Sequence, residues 1–331
     1  MVFHRLAAVA ALTLATAGGA IAEEALTLGR ALSEDFRAGR LQALWERMSP
    51  QMREALGSAE ALGAVRSAVE TQFGPEETLL SEEEGQAQGY RLYLRIADHA
   101  KDGAPLVTQF AFDDEDRIAG FFVRPQQQPA ESRFLDYRTK TGLRLPFDGE
   151  WHVYWGGRTP QQNYHVIDAG QRFAYDFVIR RNGESHEGDP TAVESYYCWD
   201  EPILAPADAT VAAAVDGLPD QRIGEADPQH PAGNHVVLDF GGGEYGFLAH
   251  MRQGSIRVRE GDTVSAGAEL GRCGNSGNTS EPHLHFHLQN SAALGAGEGL
   301  PAFFENYIAD GEAVEHGEPV KGQTVSPGGN G

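Results

Sequence analysis

Three histidines, His283, His285 and His287, alternate with Leu284 and Phe286 in the run EPHLHFHLQN (Glu281–Asn290). In an extended strand alternate side chains share a face, so the imidazoles point one way and the leucine and phenylalanine the other, into apolar packing. Two explanations fit such a row: a solvated polar face, or a metal or proton-transfer site that needs partners elsewhere. Three stretches supply candidate partners. His250 closes the alternating run FLAHM after a glycine turn, and the small polar loop GNSGNTSEP (Gly274–Pro282) runs straight into the histidines. Asp176 lies in QRFAYDFVI (Gln171–Ile179) between Tyr175 and Phe177, where an unpartnered carboxylate would be costly. Imidazole and carboxylate are zinc ligands, and a neutral imidazole is a general base near neutral pH. Spacing alone allows both His283 and His285 onto one metal.

The elements that must hold these groups can be read from the rest of the chain. Its 331 residues suggest two domains, and a 41% hydrophobic content is enough for real cores. Residues 1–22 have Arg5, an apolar run and an Ala20-Ile21-Ala22 end before Glu23, the layout of a cleaved signal peptide. No cysteine follows that run and no later stretch is long enough to span a membrane, so no membrane anchor is expected. The mature protein is expected in the periplasm or secreted. A formal net charge of -22 repels nucleic acid and anionic lipid, so neither is an expected partner. Cys198 and Cys273 in an oxidising compartment could form a disulfide or remain two buried thiols. Nothing in the sequence assigns an oligomeric state.

Residues 23–126 read as helices followed by sheet, an α+β domain. Leu28, Leu32 and Phe36, then Leu41, Leu44, Trp45 and Met48, then Leu62, Val65, Val69 and Phe73 have helical spacing. Gly39 and Gly74 are stops and Ser58 is a candidate N-cap. YRLYLRIA (Tyr90–Ala97) alternates as a strand, and Leu106–Val123 reads as a hairpin turning at Asp113–Asp116. The order of elements resembles the cone of the nuclear-transport-factor-like superfamily, which implies a binding, spacing or protecting role. The run RPQQQPAESR (Arg124–Arg133) has the proline and glutamine content of a linker, and residues 127–150 are read as one. Residues 151–310 are short apolar runs between glycine, proline and aspartate turns, an antiparallel all-β domain. Residues 311–331 are turn-formers without apolar anchors and are expected to be disordered.

From Trp151 to Asn290 the chain resembles the lysostaphin-like (LytM-type) zinc metallopeptidases, exported enzymes that cut peptide stems or bridges of peptidoglycan. The match is most specific in SGNTSEPHLHFH, a small-residue loop, a proline and an H-x-H strand; ILAPADATV, GNHVVLDFGGGEYGFLAHM and VREGDTVSAGAELGRCG follow in the family's order. The resemblance implies an antiparallel β-sandwich with a groove over one sheet. It implies zinc as cofactor, Asp176 and His285 as metal ligands, and His250 and His283 as the catalytic histidines that position or deprotonate the water and stabilise the oxyanion.

One position departs from that pattern. The family's first ligand is a histidine four residues before the aspartate, and here Arg172 stands there. A guanidinium has no free lone pair and stays protonated, so it cannot coordinate zinc, and its charge beside the metal would oppose binding. The candidate replacement is His165. If Asp168 and Ala169 form a hairpin tip, His165 lies opposite Arg172 and faces Asp176 from the partner strand. His287 is expected to support a ligand rather than be one, while His235 and His186 are weaker candidates to line or close the groove. A thiolate ligand from either cysteine is less favoured than a bridge.

The expected function is zinc-dependent hydrolysis of peptide bonds, with peptidoglycan peptide as substrate. The alternative is a non-catalytic relative that binds wall peptide or regulates another wall hydrolase. The hairpin VREGDTVSAGAELG (Val258–Gly271) also looks like that of lipoyl and biotinyl carriers, but residues 141–320 contain no lysine to carry a cofactor. Ser276 and Ser280 near His283 lack a G-x-S-x-G elbow, which argues against a serine hydrolase.

Overall fold

A computed structural model describes residues 20–87, 89–101 and 103–329. The chain divides into two compact units, Met1–Gln127 and Gln128–Gly331. The expected signal peptide lies outside the described residues as far as residue 19. No helix among the described residues is long and apolar enough to cross a membrane.

The first unit has four helices, α1 (Ala20–Ala38), α2 (Leu41–Arg47), α3 (Pro50–Leu56) and α4 (Ala59–Phe73), then the antiparallel sheet β1 (Glu76–Ala87), β2 (Tyr90–His99), β3 (Leu106–Phe112) and β4 (Ile118–Pro125). Leu32, Phe36, Leu44 and Leu62 bury against Tyr93, Phe110, Phe112 and Ile118. Gly39 and Gly74 stand at positive φ after their helices, a conformation that strains any residue with a Cβ. Helix α3 was not expected from apolar spacing. Its signal is local: Ser49 accepts the Met52 N–H and Pro50 opens the first turn. The β3–β4 turn is closed by Asp113, whose carboxylate accepts the Glu115 and Arg117 N–H groups.

The second unit is almost wholly antiparallel β. Its strands are β5 (Trp151–Trp155), β6 (Tyr175–Val178), β7 (Pro202–Leu204), β8 (Ala209–Val215), β9 (Asn234–Asp239), β10 (Tyr245–Met251), β11 (Thr263–Val264), β12 (Glu269–Arg272), β13 (Leu284–Gln289), β14 (Gly299–Leu300), β15 (Phe304–Ala309), β16 (Glu312–Gly317) and β17 (Thr324–Pro327). One large sheet runs β11-β8-β9-β10-β13-β6-β5-β17-β15-β16, with β14 on β13, and β7 pairs β12 apart from it. Phe177, Leu238, Leu248, Leu284, Phe286 and Phe304 are fully buried on its apolar side. Strand β13 lies between β10 and β6, so its alternate residues meet partners on both flanks. Cys198 and Cys273 are joined by a disulfide across 75 residues, which in the chain-entropy model contributes about 4–5 kcal/mol.

Two boundaries differ from the sequence reading. Residues 128–150 are part of the second unit rather than a linker: Leu143, Leu145 and Phe147 alternate into its core. Fully buried Glu244 fixes the same segment by accepting from the Tyr137 hydroxyl and the Lys140 and Thr141 N–H groups. Residues 311–329 are not disordered, since β16 and β17 complete the large sheet. Val325 pairs with Trp151 and is fully buried, so one apolar residue with backbone pairing replaces the row of anchors the sequence lacks.

Candidate metal centre

His285 and Asp176 are brought together by register. In the β13–β6 pair they are directly opposite, and His285 Nδ1 is 2.9 Å from Asp176 Oδ1. His165 reaches the same carboxylate by another route than the expected hairpin. It lies in a single 3-10 turn, Tyr164–Ile167, and Asp168 caps the following bend by accepting the Gly170 and Gln171 N–H groups. His165 therefore does not face Arg172 across paired strands. Its Nε2 nonetheless lies 3.6 Å from Asp176 Oδ2, and one ligand atom each from His165, Asp176 and His285 falls within 4.8 Å of the others. All three residues are buried.

His250 and His283 complete the cluster. Their ring centroids are 4.7 Å apart, and His283 Nε2 is 3.5 Å from Asp176 Oδ1. His250 occupies a bulge in β10 with φ 61°, a left-handed conformation that costs a non-glycine residue about 1–2 kcal/mol. Its position is held by its N–H to Ala232 O (3.1 Å) and its Nδ1 to Ser276 O (2.8 Å). His283 Nδ1 is 2.8 Å from Glu281 O. Carbonyl oxygens only accept, so both rings carry a proton on Nδ1, and Nε2 holds a lone pair whenever the ring is neutral.

Electrostatics follow from burial and from one carboxylate among imidazoles. Burial alone would raise the Asp176 carboxyl, but the adjacent His283 and the hydrogen bonds from His283 and His285 outweigh it and hold the group well below the usual carboxylate range. Burial pushes His165 down to about 3 despite Asp176, and also pushes down His250, with His283 and His285 adding to the effect. Burial would lower His283 too, but Asp176 beside it reverses the shift and raises it. The chain thus presents an ionised carboxylate with neutral His165, the donor set of a divalent metal site.

The other candidates separate clearly. His287 Nδ1 contacts His285 Nε2 at 2.9 Å, on the side of the ring away from Asp176. Among the described residues the metal-ligand group does not include His235 or His186. His235 bonds Gly233 O, and the His186 ring lies tilted against that of Tyr196 with centroids 5.2 Å apart. Both cysteines are consumed by the disulfide. Arg172 does not oppose the centre as expected: its Nη1 donates to Val166 O (3.2 Å) and to Ala130 O, which ties down the turn that carries His165. Asn163, which apolar and charge patterning passed over, is fully buried and contacts His165 twice.

The model of peptidase family M23 matches residues 197–295. That segment holds His250, His283 and His285, whereas His165 and Asp176 precede it. The peptidoglycan DD-endopeptidase ShyA of Vibrio cholerae serotype O1 is 34% identical over 90 residues, 26% of this chain and 20% of that protein, so the matched part spans about a fifth of the relative. Among solved structures, the catalytic domain of the antimicrobial peptidase lysostaphin from Staphylococcus simulans is 19% identical, covering 45% of this chain and 86% of its own with a TM-score of 0.28. Pseudoalterin, a deep-sea M23 metalloprotease, is 19% identical over 52% of this chain and 83% of its own, with a TM-score of 0.31. Neither TM-score carries weight for the fold. Residues 197–295 are thus similar to peptidase family M23, and part of the chain is similar to a peptidoglycan endopeptidase of that kind.

Proposed function

We propose that this chain is an exported zinc metalloendopeptidase that hydrolyses peptide bonds in peptidoglycan stems or cross-links. The observation that carries the reading is the buried convergence of His165, Asp176 and His285 beside two further imidazoles, in a chain whose residues 197–295 match the model of peptidase family M23. Four-coordinate zinc with ligands at about 2.0–2.2 Å spaces its donor atoms by roughly 3.3–3.6 Å. His285 Nδ1 lies 2.9 Å from Asp176 Oδ1, His165 Nε2 lies 3.6 Å from Asp176 Oδ2, and one donor atom from each of the three falls within 4.8 Å of the others. These are ligand types zinc takes, close enough to converge on one ion. His165 Nε2, an Asp176 oxygen and His285 Nδ1 would hold it, leaving one position for water.

Zinc bound there lowers the pKa of its water to about 7 and polarises the scissile carbonyl. The remaining work falls to the chain. His283, whose Nδ1 is held by Glu281 O and whose Nε2 lies beside the Asp176 carboxylate, takes the water proton at Nε2. His283 then gives that proton to the departing amine, and His250, held by Ala232 and Ser276 beside His283, orients the water through its Nε2 lone pair. The signal-peptide layout of residues 1–22 supports export. The test is to incubate the chain with purified sacculi and identify released fragments by mass. Zinc-dependent release carrying new peptide amino and carboxyl ends, abolished by a chelator and restored by zinc, is expected. Binding to sacculi without any cleavage would contradict hydrolysis and favour a non-catalytic role.

Arg172 acts in this reading as a clamp on the His165 turn. Arg172→Ala should weaken zinc binding about tenfold, within the range for residues that orient ligands, and lower stability by roughly 1.5–3 kcal/mol as a charged donor is lost. Chelator competition and thermal unfolding measure both; unchanged zinc affinity would contradict the clamp.

A further inference from the structure

We infer that Asn163 is a positioning residue that fixes the tautomer of His165 and so turns Nε2, rather than Nδ1, toward the metal; this rests on the reading of His165 as a ligand. The amide orientation follows from its partners. One end of the Asn163 side chain lies 2.9 Å from Ala174 O and 3.2 Å from Gly157 O, two groups that only accept, so that end is the NH2. The other end accepts the His165 backbone N–H at 3.1 Å and must be the carbonyl oxygen. The same oxygen is 2.8 Å from His165 Nδ1. An acceptor at that distance requires a proton on Nδ1, which leaves the lone pair on Nε2, the nitrogen facing Asp176.

Burial makes the constraint strong. Asn163 is fully buried and His165 is 4% exposed, so water does not offer the ring an alternative partner. The amide does three jobs with one side chain: it caps the 3-10 turn, ties it to Ala174 two residues before Asp176, and selects the ring's proton. His165 thereby comes with its own supporting residue, and Arg172 holds the same turn from Val166 O.

The experiment is a long-range 1H–15N correlation spectrum of the 15N-labelled, zinc-free chain, with zinc affinity by chelator competition. Wild type is expected to show His165 protonated on Nδ1. Asn163→Asp keeps the acceptor but loses both amide donors; it should keep that signature and bind zinc within about threefold of wild type. Asn163→Leu loses the acceptor; it should show a mixture of tautomers and bind zinc about 10–100-fold more weakly. If Asn163 mattered only for holding the turn, the aspartate variant would fail as the leucine variant does, and that result overturns the inference. So does a wild-type His165 protonated on Nε2, a measurement that needs no variant to fold. Undiminished zinc affinity in His165→Ala would instead overturn the ligand reading, with the Nδ1–H signature intact, so the two failures are distinguishable.

Discussion

Replacing His165 with alanine should reduce zinc affinity by about two to three orders of magnitude. Zinc binding at neutral pH is worth about 10–16 kcal/mol in four-ligand sites, so one protein ligand carries roughly 2.5–4 kcal/mol, about a hundredfold to a thousandfold. His285→Ala should lose a similar amount, because its Nδ1 meets Asp176 from the neighbouring strand. His235→Ala, outside the cluster, should bind as wild type does. The expected pattern by chelator competition is two severe losses and one unchanged control. Loss in His285→Ala with full affinity in His165→Ala would keep the metal and remove His165 from its shell. That outcome would also leave Asp176 and His285 short of the three protein ligands a catalytic zinc site ordinarily has.

Alanine at His283 should have the opposite profile. Zinc content should stay near wild type while kcat falls by about 10²–10⁴, the usual contribution of a general acid–base group. KM should change little, because the lost interaction belongs to the proton transfer rather than to substrate binding. The contrast matters because His283 Nε2 lies 3.5 Å from Asp176 Oδ1, close enough that spacing alone would admit it as a ligand. Zinc loss in His283→Ala would assign it to the metal and leave the base unidentified. Steady-state kinetics on a peptide fragment of the wall, paired with zinc analysis of the same sample, decides between the two.

Much of this centre was legible in the sequence, because two of its features are local. Period-two alternation put His285 and His287 on one face, and an aspartate between aromatic residues announced a buried carboxylate in need of partners. The His285–Asp176 contact itself was not legible, since it depends on β13 pairing with β6 across 109 residues. His165 was reached for a sound reason by a wrong path. A hairpin was expected, but Asn163 and Asp168 bond nearby N–H groups and bend the chain into a 3-10 turn and a capped loop. The available signal was an asparagine two residues before the histidine, a spacing at which its side chain accepts a backbone N–H.

The fold shows the same division. Helical spacing, glycine stops and the Asp113–Asp116 hairpin are written in a few adjacent residues. The ordered C-terminal strands are not, because Val325 is a single valine whose burial depends on Trp151 far earlier in the chain. Arg172 was read as a threat to the metal because its number in the chain was known and its direction was not. Its guanidinium is used on two backbone carbonyls.

The central claim is that zinc is held by His165, Asp176 and His285. The most direct measurement is a crystal of the chain grown with zinc, with anomalous data collected on both sides of the zinc absorption edge. The account predicts one anomalous peak within about 2.0–2.2 Å of His165 Nε2, an Asp176 oxygen and His285 Nδ1, with His283 beyond bonding distance. A peak bonded to His283 or His287 in place of His165, or no peak in the cluster at saturating zinc, would contradict it.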